Sequence, residues 1–187
     1  RDHGYRVVII CPKMRGYNEP EELLDDIWIF RHWISDEAGG FFGFLGEYAS
    51  ALWGEWRLAW KVWFRFRFDV IHLCNPPDLL FLIAAPFRAL GVRVVYDVHD
   101  VWPEMFEAKF RNRGPVYWAV RLAERLTYSV AHVALSTNES VQKVAIGRGK
   151  KAPEDVFVVR TAPKIAVSDA EPDPELKKGR AFLIGYV

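Results

Sequence analysis

The sequence predicts an α/β domain whose mostly parallel sheet carries helices on both faces. Short apolar runs rich in β-branched residues recur along the chain, and such runs are typical of buried parallel strands. Segments with helical spacing separate these runs, as they do in β-α-β units. Polar turns follow the carboxyl ends of several runs, which is where open α/β sheets bind their ligands. Together these three observations predict a doubly wound, Rossmann-like architecture.

The apolar runs locate the strands. A continuous run at residues 6–11 predicts a central strand, and the mixed apolar and basic residues 27–33 predict an edge strand. The polar, Gly- and Pro-containing residues 12–22 between them predict a loop. Further strands are predicted at residues 69–74, 93–98, 132–135 and 156–160. Helices are predicted at residues 41–67, 79–90 and 116–130, with two more beginning near Pro103 and at Asn138.

Composition limits the classes of protein to consider. Of 187 residues, 51% are hydrophobic and 15% aromatic, so the chain can bury one core of ordinary domain size. Its net charge of +1 provides no overall field that would attract nucleic acid. Cys11 and Cys74 both close apolar runs, so we expect buried free thiols in a reducing cytosol. We expect no secretory signal, because the opening Arg1-Asp2-His3-Gly4 contains no apolar h-region. We expect no membrane-spanning helix, because no apolar run reaches the roughly 18 residues needed to span.

The loop after the predicted strand 93–98 surrounds one histidine with carboxylates. His99 is flanked by Asp97, Asp100 and Glu104. Histidine titrates near neutral pH, and a carboxylate could orient its ring or hold it charged. Pro103 suits the first turn of a following helix. Two interpretations are open: the loop lines a ligand site, or Asp100 only caps that helix while His99 packs within the loop.

Residues 41–67 carry an unusually broad aromatic stripe. Apolar side chains recur there at helical spacing, and further Trp and Phe residues widen the stripe beyond one face. One interpretation is a helix buried against the sheet. The other is a helix whose aromatic and basic side chains rest on an anionic membrane surface, and both could hold for different faces. The membrane interpretation depends on Trp53, Trp56, Trp60, Trp63, Arg57, Lys61 and Arg65.

Four stretches occur in an informative order. They are Asp69-Val70-Ile71-His72-Leu73-Cys74-Asn75-Pro76-Pro77-Asp78, Tyr96-Asp97-Val98-His99-Asp100 followed by Pro103-Glu104, Ser136-Thr137-Asn138-Glu139-Ser140, and Val158-Val159-Arg160. In this order and spacing the chain resembles a family 4 glycosyltransferase of the two-domain GT-B fold. It is similar to the N-terminal, acceptor-side domain of the WbuB-like members, which build surface polysaccharides.

The resemblance implies roles for individual residues. His99 matches the histidine at the bottom of the interdomain cleft, which contacts the transferred sugar. Substrate binding is implied for its polar neighbours, for two further loops on the same rim and for the residue where the chain leaves the domain. These residues are Asp100, Glu104, Asn75, Asp78, Asn138, Glu139, Ser140 and Arg160. For Arg160, a salt bridge beside the linker is an equally good explanation.

The resemblance also suggests domain boundaries. Residues 1–163 would form the Rossmann-like N-terminal domain without its first strand and glycine-rich loop. Residues 164–180, which are polar and charged, would be an interdomain linker, and residues 181–187 would begin the first strand of a C-terminal domain. In the family that second domain holds most donor contacts and a glutamate pair spaced E-x7-E. Glu47 and Glu55 share this spacing by chance, because they lie in the wrong domain.

As a family member, the protein would transfer a sugar from a nucleotide diphosphate donor with retention at the anomeric carbon. His99 would be a polar sugar contact and not a covalent nucleophile. The aromatic helix suggests a lipid-linked saccharide acceptor and a cytoplasmic location, peripheral on the inner face of the membrane. No D-x-D motif occurs, so we expect no metal and no cofactor beyond the nucleotide-sugar substrate. We also expect no nucleic acid partner, because the net charge is only +1.

Two rival functions remain open from the sequence. A sugar-nucleotide epimerase of the same GT-B architecture would also place carboxylates and a histidine in a cleft. A non-catalytic module that docks an acceptor or a membrane is the other alternative. A dehydrogenase is less favoured, because no G-x-G-x-x-G motif follows the first visible strand.

Overall fold

A computed structural model describes residues 4–35, 41–75, 78–111, 113–160 and 178–182. The strands are β1 (Val8–Pro12), β2 (Glu21–Leu24), β3 (Ile27–His32), β4 (Val70–Cys74), β5 (Arg93–Val98), β6 (Val133–Ser136) and β7 (Val156–Val158). The α-helices are α1 (Phe41–Phe66), α2 (Phe81–Ala89), α3 (Trp102–Phe110), α4 (Pro115–Val130) and α5 (Glu139–Gly147). Short 3₁₀ helices cover Asp78–Leu80 and Pro153–Asp155.

The larger sheet has the strand order β4-β5-β6-β7, and every neighbouring pair in it is parallel. A helix follows each of the first three strands and returns the chain to the start of the next. This arrangement confirms the α/β class and the Rossmann-like architecture. All four strands end at the same edge, so the loops that leave them are brought together there.

The smaller sheet has the order β1-β3-β2 and differs from the sequence-based expectation. Residues 27–33 were expected at an edge, but β3 lies between β1 and β2, and the predicted loop at 12–22 includes the start of β2. Asp25 and Asp26 explain the difference, because φ angles of 48° and 61° let them form the tight turn of a β2–β3 hairpin. The expected central strand, β1, is bordered within the described residues only by β3.

A cavity separates the two sheets. Its volume is about 950 Å³, and residues of both β1 and β4 line it. Ala59 and Val62 of α1 form part of its wall, together with Leu80 and Ile83 from the region of α2. Among the described residues, no strand pairs with the cavity side of β1 or β4.

One face of the larger sheet is buried. Val94, Tyr96 and Val98 alternate along β5 and are at most 2% exposed, and Phe87 of α2 is fully buried in the same core. The ring of Tyr96 meets that of Tyr128 from α4 edge to face, with centroids 5.1 Å apart. Removing each such apolar side chain from water contributes roughly 1.5–3 kcal/mol. On the opposite face, Val70 and Phe157 are about half exposed.

Helix α4 confirms its predicted position, and Val120, Ala123 and Tyr128 on it are buried. Val116 and Leu126 are exposed, whereas the polar residues Glu124 and Thr127 are buried. The helix packs against both α2 and α3, which turns its buried face toward the side that carries Thr127. Glu124 is accommodated there because Arg148, after α5, supplies a cation. That partner is distant in sequence and no helical periodicity indicates it.

Helix α1 buries one face and leaves aromatic side chains exposed on another, and its contact with a membrane stays a prediction. Leu58, Ala59 and Val62 are buried, and the ring of Trp60 lies 4.7 Å from that of Phe87. Trp53 and Phe64, however, are both 63% exposed. No helix among the described residues is long and apolar enough to cross a membrane. Most of the predicted linker, residues 164–177, and residues 183–187 of the predicted final strand lie outside the described residues.

Candidate functional site

The carboxyl edge of the larger sheet gathers the loops predicted to form a site. Asn75 follows β4, His99 and Asp100 follow β5, Asn138 follows β6, and Arg160 lies just beyond β7. Their strands are consecutive neighbours in one parallel sheet. The residues are therefore neighbours along one rim, as expected from their positions after the apolar runs.

Asn75 connects the end of β4 to the histidine loop. Its side-chain oxygen accepts hydrogen bonds from the backbone N–H groups of His99 (2.8 Å) and Asp100 (3.3 Å). Its side-chain nitrogen donates to the backbone carbonyl of Asp100 at 2.6 Å. The residue is only 5% exposed, so these bonds are shielded from water. This geometry gives Asn75 a positioning role, and its direct contact with substrate stays a prediction.

The His99 ring is open to solvent and is held from one side. Its side chain is 49% exposed, and its Nε2 lies 3.4 Å from Oδ2 of Asp97. Of the three carboxylates predicted around the ring, Asp97 is the one that the structure gives as its ion-pair partner. The packed-loop alternative is wrong, because the ring is half exposed. Helix capping by Asp100 is also not observed, since the N-cap of α3 is Val101 without a side-chain hydrogen bond.

Glu104 belongs to an ion-pair network instead of the histidine loop. Both of its carboxylate oxygens accept hydrogen bonds from Arg148, at 2.5 and 2.9 Å. Arg148 also donates to Glu124, which is almost fully buried, at 2.7 Å. Burial opposes ionisation of Glu104, but the hydrogen bonds and charge of Arg148 outweigh it and lower the pKa of Glu104. Burial raises the pKa of Glu124 despite the same guanidinium. Substrate contact by Glu104 therefore stays an untested prediction.

The loop after β6 is organised by Asn138. Its side-chain oxygen accepts the N–H groups of Ser140 (2.9 Å) and Val141 (3.0 Å), so it is the predicted N-cap of α5. Glu139 is exposed and pairs with Arg160, as the salt-bridge explanation of Arg160 required. Hydrogen bonding to its own backbone N–H and to Arg160 lowers the pKa of Glu139. The Ser140 side chain is exposed on the same rim.

Asp78 lies at the start of the 3₁₀ helix Asp78–Leu80. The α-helix that follows begins at Phe81 with Leu80 at its N-cap position. Because the 3₁₀ turn covers Asp78–Leu80, the α-helix begins two residues later than predicted. Residues 76–77, which connect Asp78 to Asn75, lie outside the described part of the chain.

Comparison with known families decides what kind of domain this is. Residues 1–161 match the glycosyl transferase 4-like domain. The chain belongs to this family. No curated protein matches the sequence. The family match confirms the resemblance at the level of a glycosyl transferase 4-like domain, and membership implies a nucleotide-sugar donor and an acceptor in general terms.

The glycosyl transferase 4-like domain contains polar residues at this edge that sequence reasoning missed. His72 of β4 places its Nε2 3.1 Å from Oδ2 of Asp97, on the carboxylate oxygen that also faces His99. Cys74 was expected to be buried, but it is exposed; both cysteines are free thiols as expected. Positions 72 and 74 share a strand face, and Cys74 pairs with Asp97 across the strands. The sequence signal for this group was the alternate spacing of His72 and Cys74 on β4. It becomes informative only when β4 is known to be the neighbour of β5.

The cavity between the sheets is also lined by an acidic residue of helix α1. Glu55 of α1 lines the cavity, and burial raises its pKa to about 7. Its Oε1 lies 4.0 Å from Nε2 of His32. Burial, together with the charge of Arg57, lowers the pKa of His32 despite a hydrogen bond to the backbone of Trp33. The structure pairs Glu55 with His32, not with Glu47. The carboxyl group of Glu55 is therefore buried with little compensation for its charge.

Proposed function

We propose that this domain is the acceptor-side half of a retaining glycosyltransferase that moves a sugar from a nucleotide diphosphate donor to a lipid-linked saccharide. The pathway we infer is surface-polysaccharide synthesis. Family membership supports glycosyl transfer, and one observation carries the assignment of the site. His99 is half exposed at the carboxyl edge of the parallel sheet, with its backbone fixed by Asn75 and its ring facing Asp97.

His99 acts in this proposal by hydrogen bonding to the transferred sugar. A ring that is both exposed and oriented can donate to or accept from a sugar hydroxyl without reorganising during the reaction. Asp97 orients the ring through the Nε2 that faces it, and Asn75 fixes the loop backbone. The chemistry does not require the ring to form a covalent bond.

The rim after β6 and β7 supports the proposed binding of the donor. The N-terminus of α5 carries a partial positive charge, and a cation lies next to it in Arg160. Asn138 occupies the first helical N–H groups, so we assign it a positioning role. We propose that Ser140 and Arg160 contact polar groups of the substrate, with Glu139 holding Arg160 in place when no substrate is bound.

Helix α1 supports the proposed lipid-linked acceptor through its exposed aromatic side chains. The rings of Trp53 and Trp56 stack with centroids 5.5 Å apart, and Phe64 is exposed further along the helix. The basic residues of α1 are less available to anionic lipid than expected, because Lys61 and Arg65 both pair with Glu21 of β2. We therefore expect membrane contact through aromatic insertion at the interface more than through charge.

Replacing His99 tests the proposed site. In the intact protein, His99→Ala is expected to lower turnover of the nucleotide-sugar donor by about 10²-fold, because the oriented sugar contact is lost. His72→Ala is the matched comparison, since His72 meets the same oxygen of Asp97 and is equally exposed, and it should lose less than about tenfold. Near-wild-type turnover in His99→Ala would reject the assignment, and donor interconversion without an acceptor would favour the epimerase.

Vesicle flotation tests the proposed membrane contact. The wild-type protein should float with vesicles that contain anionic lipid, and Trp53→Ala combined with Phe64→Ala should lose most of that binding. Trp118→Ala is the control, because Trp118 of α4 is similarly exposed but lies outside the aromatic helix. Equal flotation of the double variant and the wild-type protein would contradict a role for α1.

A further inference from the structure

Three potential metal ligands converge on the open face of the larger sheet near its carboxyl edge, and His99 faces one of them. One ligand atom each from His72, Cys74 and Asp97 lie within 4.8 Å of one another. The imidazoles of His72 and His99 both direct Nε2 toward Oδ2 of Asp97, at 3.1 and 3.4 Å. The proposed transfer reaction uses neither His72 nor Cys74, so their placement requires a separate explanation.

The backbone holds three of these residues in fixed relative positions. His72 and Cys74 occupy alternate positions of β4 and therefore project from one face of the sheet. Cys74 is the direct cross-strand partner of Asp97 in the parallel β4–β5 pair. In a tetrahedral site with bonds of about 2.0–2.3 Å, ligand atoms lie roughly 3.3–3.8 Å apart. The imidazole-to-carboxylate distances of 3.1 and 3.4 Å already lie near that spacing.

The ligand types select a particular class of ion. A thiolate, two neutral imidazoles and one carboxylate form a set that suits zinc, and sulfur disfavours magnesium and calcium. The thiolate and the carboxylate together balance the charge of a divalent cation. His72 and Cys74 are exposed and also line the cavity between the sheets, so an ion can reach them from solvent.

We propose that His72, Cys74 and Asp97, with His99 as the fourth ligand, form a binding site for a zinc-class divalent ion. An ion bound there would hold the His99 ring through Nε2 and keep it from adjusting to the sugar. Occupation of the site would then inhibit transfer, and this second part rests on the proposed function. Binding itself is a property of the four side chains and does not depend on which reaction the domain carries out.

Cobalt titration tests the binding site without using activity. Reduced protein without a polyhistidine tag should bind about one equivalent of Co²⁺ and show a thiolate-to-metal charge-transfer band that Zn²⁺ displaces. Cys74→Ser should abolish the band, whereas Cys11→Ser, which removes the other thiol, should retain it. His72→Ala and Asp97→Asn should each raise the dissociation constant roughly tenfold or more. Thermal unfolding of every variant shows that each is folded.

The outcomes separate the two parts of the proposal. Absence of the charge-transfer band in the folded wild-type protein, or its persistence in Cys74→Ser, would overturn the site. Zn²⁺ should inhibit donor turnover in the wild-type protein but not at the same concentration in Cys74→Ser. Metal binding without inhibition would support the site and overturn its link to His99. Loss of turnover in His99→Ala remains an independent test of the transferase assignment.

Discussion

Two groups of polar side chains differ in their exposure to solvent. The Arg148 network consists of Arg148, Glu104 and Glu124, and the histidine cluster consists of His72, His99 and Asp97. Glu124 is 3% exposed, and Arg148 covers it while also binding Glu104. Asp97 faces two half-exposed imidazoles on the open face of the sheet. The first arrangement pairs its opposite charges within the protein and joins α3 and α4 to the end of α5. The second leaves ring nitrogens accessible, as a ligand site requires.

The largest effect is expected from removing the guanidinium of the network. Arg148→Met should lower the free energy of unfolding by about 3–5 kcal/mol, because Glu124 would be left buried without its partner. Denaturant titration measures this loss, and Arg148→Met combined with Glu124→Gln should recover part of it. Arg113→Met is the control, because Arg113 pairs with Glu107 at the surface and should lose less than about 1 kcal/mol. Equal losses in both single variants would remove the distinction between the two settings.

Glu55 shows what a buried carboxyl does without an arginine. Its pKa rises from 4.5 to about 7 in the folded protein, so the folded state becomes less stable as pH rises through that interval. Glu55→Gln should therefore stabilise the protein by up to about 3 kcal/mol at pH 8 and by little at pH 4. Thermal or urea unfolding across this pH range measures the difference. The exposed residue Glu154 provides the control as Glu154→Gln, and an equal gain at both pH values would contradict the explanation.

The smallest change in stability is expected at the histidine cluster. Asp97→Asn should alter the free energy of unfolding by less than about 0.5 kcal/mol, because the open setting leaves water to replace the lost contacts. Donor turnover should nevertheless fall roughly tenfold, since the ring of His99 loses the charged group that orients it. Asp155→Asn, which changes another partly exposed ion pair, is the control for turnover. A loss of stability comparable with Arg148→Met would mean that the cluster is structural.

The sequence could predict the sheet edge because strand positions and their polar ends are local properties. The runs at residues 69–74 and 93–98 correspond to β4 and β5, and His99 lies at the rim as expected. The partners of these elements were not predictable in the same way. An apolar run does not reveal how many neighbours its strand has, so β1 and β3 were assigned to the wrong positions in their sheet.

Long-range contacts explain the remaining differences at the candidate site. Glu104 was placed near His99 because it is close in sequence, but Arg148, 44 residues further along the chain, binds it. Cys74 ends an apolar run, which suggests burial, yet its side chain projects from the less covered face of the sheet and is exposed. The family match extends through residue 161 and confirms the type of domain, which single motifs could not establish.

The cavity between β1 and β4 marks the region where we expect local unfolding to occur most readily. Backbone amides on the cavity side of these strands lack the protection that β5 receives from neighbours on both sides. Hydrogen exchange should therefore be fast along the two cavity edges and slow in β5. The β1–β3 sheet and the β4–β7 sheet would fluctuate as separate units, and any molecule that bridged them would slow exchange in both at once.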